Sequence, residues 1–162
     1  MTGAQADDLR LVCFFLQGRE LGVDIRAVKE TMIMRPITRV FLTPDWVAGI
    51  INLRGDVVAV IDLARFLGLP STRPSQDTRI ILMRGEGKTA GLLVDRLGDV
   101  RSVAPAAIQP TPSGAGSGEP GADLVRGVAT VGDDARPLAV LDLERLWNSE
   151  RIKQFERRVN GG

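Results

Sequence analysis

The chain has 162 residues, 25% of them charged, with a formal net charge of +1 and no histidine. Such a balance supplies no extended field for nucleic acid or an anionic membrane, and two Trp and five Phe with no Tyr are too few stacking platforms for a single-strand binder. Without histidine there is no imidazole general base, no phosphohistidine acceptor and little scope for zinc, while the length suits one domain or two small subdomains sharing a core.

The N-terminal stretch MTGAQADDLR has no basic region followed by an apolar one, and no apolar run approaches the roughly 18 residues of a membrane span. Residues 1–10 are expected to be a disordered tail, and the protein to be cytoplasmic, with no direct membrane insertion. Short apolar runs then recur along the chain: LRLVCFFL, RELGVDI, VAGIINL, DVVAVIDL, RIILM, TAGLLVD, LVRGVATV and RPLAVLDL. Each is rich in Val, Ile and Leu and bounded by Gly, Asp, Arg or Pro, the pattern of strands in a mostly β protein. LQGRE, NLRGD, RGEGKT and VGDDARP supply hairpin turns between them. Cys13, the single cysteine, lies in the first run, so it makes no internal disulfide and fits a reducing compartment as a small buried hydrophobe.

Helices are expected to be few. Ile25, Val28 and Met32 recur at spacings of three and four, predicting a helix over about Ile25–Met34 capped by Asp24. Short helices are expected in LARFLG after Asp62 and LERLW after Asp142. NSERIKQFERRV places Ile152, Phe155 and Val159 on one stripe behind Asn148 or Ser149, so residues 151–162 are expected to form a C-terminal helix and tail.

A diverged repeat organises the chain. VAGIINLRGDVVAVIDLARFL matches VRGVATVGDDARPLAVLDLERLW, aligning Gly49 with Gly127, Val60 with Val140, Asp62 with Asp142 and Arg65 with Arg145. The offset is 69 residues between Gly22 and Gly91 and 78 between Gly49 and Gly127. The difference matches the length of SGAGSGEPG, a Gly-rich segment at 113–121 expected to be a flexible loop. Two similar β subdomains of 70 to 80 residues, sharing an interface, are therefore expected.

Several motifs invite sharper readings. Gly87, Lys88 and Thr89 match the end of a phosphate loop, but Leu82 stands where its first glycine belongs and the following AGLLVD reads as strand. Asp62, Asp95 and Asp142 each close an apolar strand; with Lys88 they are the candidates for acid-base chemistry, and no nucleophile with its base is apparent. The repeat equivalence of Asp62 and Asp142 favours capping of the following turns instead. Arg54, in NLRGD, occupies a turn where Asn, Gly and Asp would suffice, and the second copy, TVGDD, has no cation there. An Arg on a rigid hairpin end can fork onto a carboxylate at an interface.

VAGIINLRGDVVAVIDLARFLGL resembles the signature of the CheW family of bacterial chemotaxis coupling proteins. FFLQGRELGVDIRAVKETM, RIILMRGEGKTAGLLVDRLGDVRSV and LVRGVATVGDDARPLAVLDLERLWNSE resemble its other segments, so that the likeness spans about Leu11 to Glu150. The resemblance implies a single CheW-like domain over 11–150, built as two SH3-like five-stranded β-barrel subdomains packed together, with short connecting helices and a C-terminal helix. It implies a non-enzymatic adaptor without cofactor, catalytic residues or metal, joining the cytoplasmic tips of methyl-accepting chemoreceptors to the regulatory domain of the histidine kinase CheA. Carried over by motif, Arg54 falls at the receptor-binding Arg of NLRG, with Val28 and Glu30 at helix positions also associated with the receptor. A CheW-like scaffold of a gliding or pilus pathway, and a small-ligand-binding β-barrel, are the rival readings.

Overall fold

The computed structural model describes residues 7–85, 87–110 and 121–161. Among the described residues, ten strands run in the order β1 (Leu9–Leu16), β2 (Arg19–Asp24), β3 (Val28–Ile33), β4 (Val47–Leu53), β5 (Asp56–Asp62), β6 (Arg79–Gly85), β7 (Lys88–Val94), β8 (Arg96–Val103), β9 (Val125–Val131) and β10 (Arg136–Leu141). The helices are α1 (Leu63–Phe66), α2 (Leu143–Trp147) and α3 (Glu150–Gly161). The first strand thus begins inside the stretch expected to be a tail. Residues 1–6, and residues 113–120 of the expected Gly-rich loop, lie outside the described residues.

The turns follow from local chemistry. Gln17 and Gly18 take φ of 52° and 76°, and Arg54 and Gly55 take 53° and 88°, the left-handed pair that a two-residue hairpin requires. Gly supplies that conformation without cost. Arg54 does not, and a non-glycine residue held there stores conformational strain.

The predicted helix over Ile25–Met34 is replaced by a 3-10 turn at Ile25–Ala27 followed by β3. Asp24 does cap the turn, accepting from the Arg26 amide at 2.9 Å. Beyond it, half-buried Val28, Glu30 and Met32 alternate with exposed Lys29, Thr31 and Ile33. β-Branched Val28, Thr31 and Ile33 suit a pleated strand, and antiparallel pairing with β6 satisfies the backbone. Val28 and Met32 share a face in either period, so their spacing alone does not discriminate.

The strands form two five-stranded sheets, ordered β8-β1-β2-β10-β9 and β3-β6-β7-β5-β4. Replacing each strand by its repeat mate converts one order into the other, so the repeat is a symmetry of the whole molecule. The sheets do not coincide with the two halves of the chain that the repeat defines. β2 pairs in parallel with β10, bringing Gly22 against Val140, and β5 pairs in parallel with β7, bringing Val60 against Gly91. Each half lends strands to the other, which covers edges that a separate hairpin would leave open.

Among the described residues, an isolated bridge outside the strands joins Thr38 to Ile50 in one sheet and Gln109 to Val128 in the other. Here the repeat-matched glycines find their reason. A Cβ on Gly49 would collide with the Thr38 carbonyl oxygen, and one on Gly127 would lie 2.6 Å from that of Gln109. In each sheet the bridging segment passes directly over the glycine.

Three apolar clusters result. Leu11, Cys13, Leu138 and Val140 cluster on the first sheet, and Ile51, Val60, Ile80 and Leu82 on the second. The largest lies between the sheets, where Phe14, Leu16, Ile81 and Met83 meet Leu63, Phe66 and Trp147 of the short helices. Strands buried on both faces explain the continuous apolar runs in the sequence. β1 alternates between clusters, with Leu11 and Cys13 on one face and Val12, Phe14 and Leu16 on the other, and a register shift between Val12 and Phe14 interrupts its pairing with β8.

α3 docks on this cluster. Ser149 Oγ accepts from the Ile152 amide at 3.4 Å, Ile152 is buried, and Phe155 meets Trp46 edge-on with ring centroids 5.6 Å apart. Lys88 pairs with Glu156 across to β7. The Val159 side chain lies outside the described residues.

Candidate functional site

β3 and β4 are the outer strands of the second sheet, and the seam between them is where the sequence-predicted residues gather. The β4–β5 turn is stiffened by Asn52, whose Oδ1 accepts from the Gly55 amide at 3.2 Å. From that turn Arg54 reaches across to Glu30 on β3. Its Nη1 donates to Oε2 at 3.0 Å and its Nη2 to Oε1 at 3.4 Å, a two-pronged fork.

The fork is open to solvent: the Arg54 side chain is 69% exposed and that of Glu30 32%. Hydrogen bonding from Arg54 holds the Glu30 carboxyl below the usual glutamate range, with smaller contributions from the charges of Arg54, Lys29 and Arg35. The same bond raises the Arg54 guanidinium, which stays charged at any physiological pH. The site therefore presents a fixed cation and its carboxylate on a rigid hairpin end.

Val28 lies two residues from Glu30 in β3, but a register shift between them turns it to the other face, where it pairs with Met83 and packs against the central cluster. Structure thus brings Arg54 and Glu30 into contact and leaves Val28 further along the strand. Two features of the seam escaped the sequence reading. Arg35 Nη1 donates to the Asn52 carbonyl at 3.1 Å, and an open groove beside it is lined by Ile33, Met34, Pro36, Ile50 and Ile51. Arg35 sits in a turn-like stretch, MRPIT, with no periodicity to mark it.

At the repeat-related positions two carboxylates cap the short helices. Asp62 Oδ1 accepts from the Arg65 amide at 3.3 Å and Asp142 Oδ1 from the Arg145 amide at 3.1 Å. Their own amides donate to equivalent carbonyls, Trp46 and Leu124, both at 2.8 Å. Burial raises the Asp62 carboxyl above the usual aspartate range. Asp95 departs from this pattern. Its oxygens accept from the Gln17 amide at 2.8 Å and the Thr72 hydroxyl at 2.7 Å, so it ties the β1–β2 turn to a distant loop and caps no helix.

The residues weighed for acid-base chemistry are thus occupied in holding the fold: Asp62 and Asp142 in caps, Asp95 in a clasp and Lys88 with Glu156. Elsewhere, Glu20 is buried with Arg101 Nε 3.0 Å away, in the sheet that also holds Cys13. Burial, reinforced by the Glu20 charge, pushes the Cys13 thiol up to about 12, which suits an inert core residue.

The sequence profile described as the CheW-like domain matches residues 10–151. The chain is 34% identical over 141 residues to the probable chemotaxis protein CheW of Rhizobium etli, covering 87% of this chain and 88% of that one. It is 31% identical over 139 residues to the chemotaxis protein CheW of Klebsiella aerogenes, with 86% and 81% covered. Protein FrzA of Myxococcus xanthus is 28% identical over 145 residues, with 90% and 89% covered. Among solved structures, the scaffolding protein TtCheW of Thermoanaerobacter tengcongensis superposes with a TM-score of 0.78 at 30% identity, covering 93% of this chain and 95% of that one.

Proposed function

The chain belongs to the CheW-like domain family, a family of scaffolds, and on that premise we propose that it couples chemoreceptor cytoplasmic tips to the regulatory domain of the histidine kinase CheA. As a chemotaxis adaptor it works by holding partners together, with no chemistry of its own. The reading places it in the cytoplasm, where the receptor tips are.

One observation carries the receptor half of this reading. Arg54 occupies a left-handed turn position at φ 53°, where Asn or Gly would sit without strain, and uses the exposure to fork onto Glu30. A non-glycine residue held there, with a charge open to solvent, supports a role for Arg54 in contacts outside the fold. Arg54 would exchange or share its fork with acidic or polar groups on the receptor hairpin, Glu30 holding the guanidinium plane in the meantime. Val28 supports β3 beneath them.

Isothermal titration calorimetry with the regulatory domain of the CheA encoded beside this chain, and separately with a receptor tip fragment, tests the proposal. Saturable one-to-one binding to each supports it; no heat at high micromolar concentration with folded components sinks it. The likeness to Protein FrzA supports a second reading, the same scaffold serving a different chemosensory pathway. Binding to the kinase and receptor of that pathway, and not to the chemotaxis pair, would select it.

A further inference from the structure

Arg35 also bonds across the seam, beside the Arg54–Glu30 fork and the Thr38–Ile50 bridge. Its Nη1 donates to the Asn52 carbonyl at 3.1 Å, and the Asn52 side chain in turn accepts from the Gly55 amide at 3.2 Å. Asn52 is therefore gripped from both sides, by Arg35 through its carbonyl and by the turn through its carboxamide. Arg54 lies between Asn52 and Gly55, so whatever holds Asn52 sets the direction in which Arg54 leaves the hairpin. Arg35 also carries charge close enough to Glu30 to act on it.

We propose that Arg35 is a positioning residue for Arg54: it locks the β4–β5 hairpin against the strand that carries Glu30 and so preorganises the exposed fork for docking. This deepens the receptor-binding reading of the same site and rests on it. The physical reason is entropic. An exposed Arg on a free hairpin must order its backbone as well as its side chain on binding, whereas a clamped hairpin has already lost that freedom. A single bond to a main-chain carbonyl is insensitive to what Arg54 touches, so the lock survives when the fork is exchanged for a partner's carboxylate. The bonding of Arg35 is directed to the hairpin itself.

The test is a double-mutant cycle with Arg35→Ala, Arg54→Ala and the combined variant, titrated against the receptor tip fragment. Arg35→Ala alone should weaken binding about tenfold and Arg54→Ala by about thirtyfold or more, while the pair loses no more than Arg54→Ala alone. Arg35→Lys, keeping charge but not the planar donor, should restore only part of the affinity. An unchanged affinity in Arg35→Ala, or a combined loss equal to the product of the single losses, overturns the proposal, the latter by making Arg35 an independent contact. If the wild-type chain fails to bind the fragment, the receptor reading falls, and the lock is then decided in the free protein. Faster exchange of the Gly55 amide in Arg35→Ala, at an unchanged melting temperature, upholds it; an unaltered rate overturns it.

Discussion

Glu30 and Arg54 meet across the seam between the two outer strands of one sheet, with Arg54 Nη1 3.0 Å from Glu30 Oε2 and both side chains reached by solvent. An exposed pair of this kind adds little to stability. Arg54→Ala should therefore leave the melting temperature nearly unchanged while weakening receptor binding about thirtyfold or more, as loss of an interface anchor does. A parallel fall in melting temperature would show instead that the fork serves the fold.

The same pair has a pH signature. Glu30 is held below its usual range, chiefly by the hydrogen bond from Arg54, so its folded value lies below its unfolded one. Its contribution is then present above the unfolded value and lost as pH falls through the folded one. In an NMR titration Glu30 should protonate at lower pH than an ordinary glutamate, and Arg54→Ala should move it upward toward that value. No movement would mean that the fork does not persist in solution.

Gly49 and Gly127 lie beneath the bridging segments at Thr38 and Gln109, and a side chain at either would press on the crossing chain. Alanine at each should destabilise by about 1–3 kcal/mol in urea unfolding. Gly49→Ala should be the worse of the two, since Gly49 also has φ of 147°. Equal tolerance at both sites would contradict the close approach of the crossing chain.

Leu42 is 75% exposed and sits at φ 63°, a conformation unfavourable for a bulky residue. Leu42→Asn removes little burial and relieves that strain, and should raise stability by about 1 kcal/mol. Thermal melts of the two proteins side by side decide it.

The caps should respond differently. Asp142→Ala should cost about 1 kcal/mol. At Asp62, burial raises the carboxyl, so the charged form is disfavoured by folding and stability from this group grows as pH falls through the folded value. Asp62→Asn, which keeps the acceptor oxygen without the charge, should be milder than Asp62→Ala near neutral pH. Next to it, Leu63 is fully buried, and Leu63→Ala should cost about 2–5 kcal/mol. Chemical denaturation of all four variants provides the comparison.

The hairpins, the short helices behind Asp62 and Asp142, the C-terminal helix and the repeat were legible in the chain itself. Each depends on residues a few positions apart: a Gly in a turn, a carboxylate two or three residues before an amide, an apolar run bounded by breakers. Arg54 stood out for the same reason, as a cation in a turn that does not need one. What tertiary structure decided was the pairing. Val28 to Ile33 became a strand because β6 offered it a ladder, Asp95 left the capping pattern because Gln17 and Thr72 lay within reach, and the repeat halves exchanged strands through β2–β10 and β5–β7. Neither the Glu30 fork nor the Arg35 bond to Asn52 has a local signal, since their partners are 24 and 17 residues apart in sequence. Local chemistry determines which residues can turn, cap and extend; main-chain hydrogen bonds between distant strands determine which of them meet.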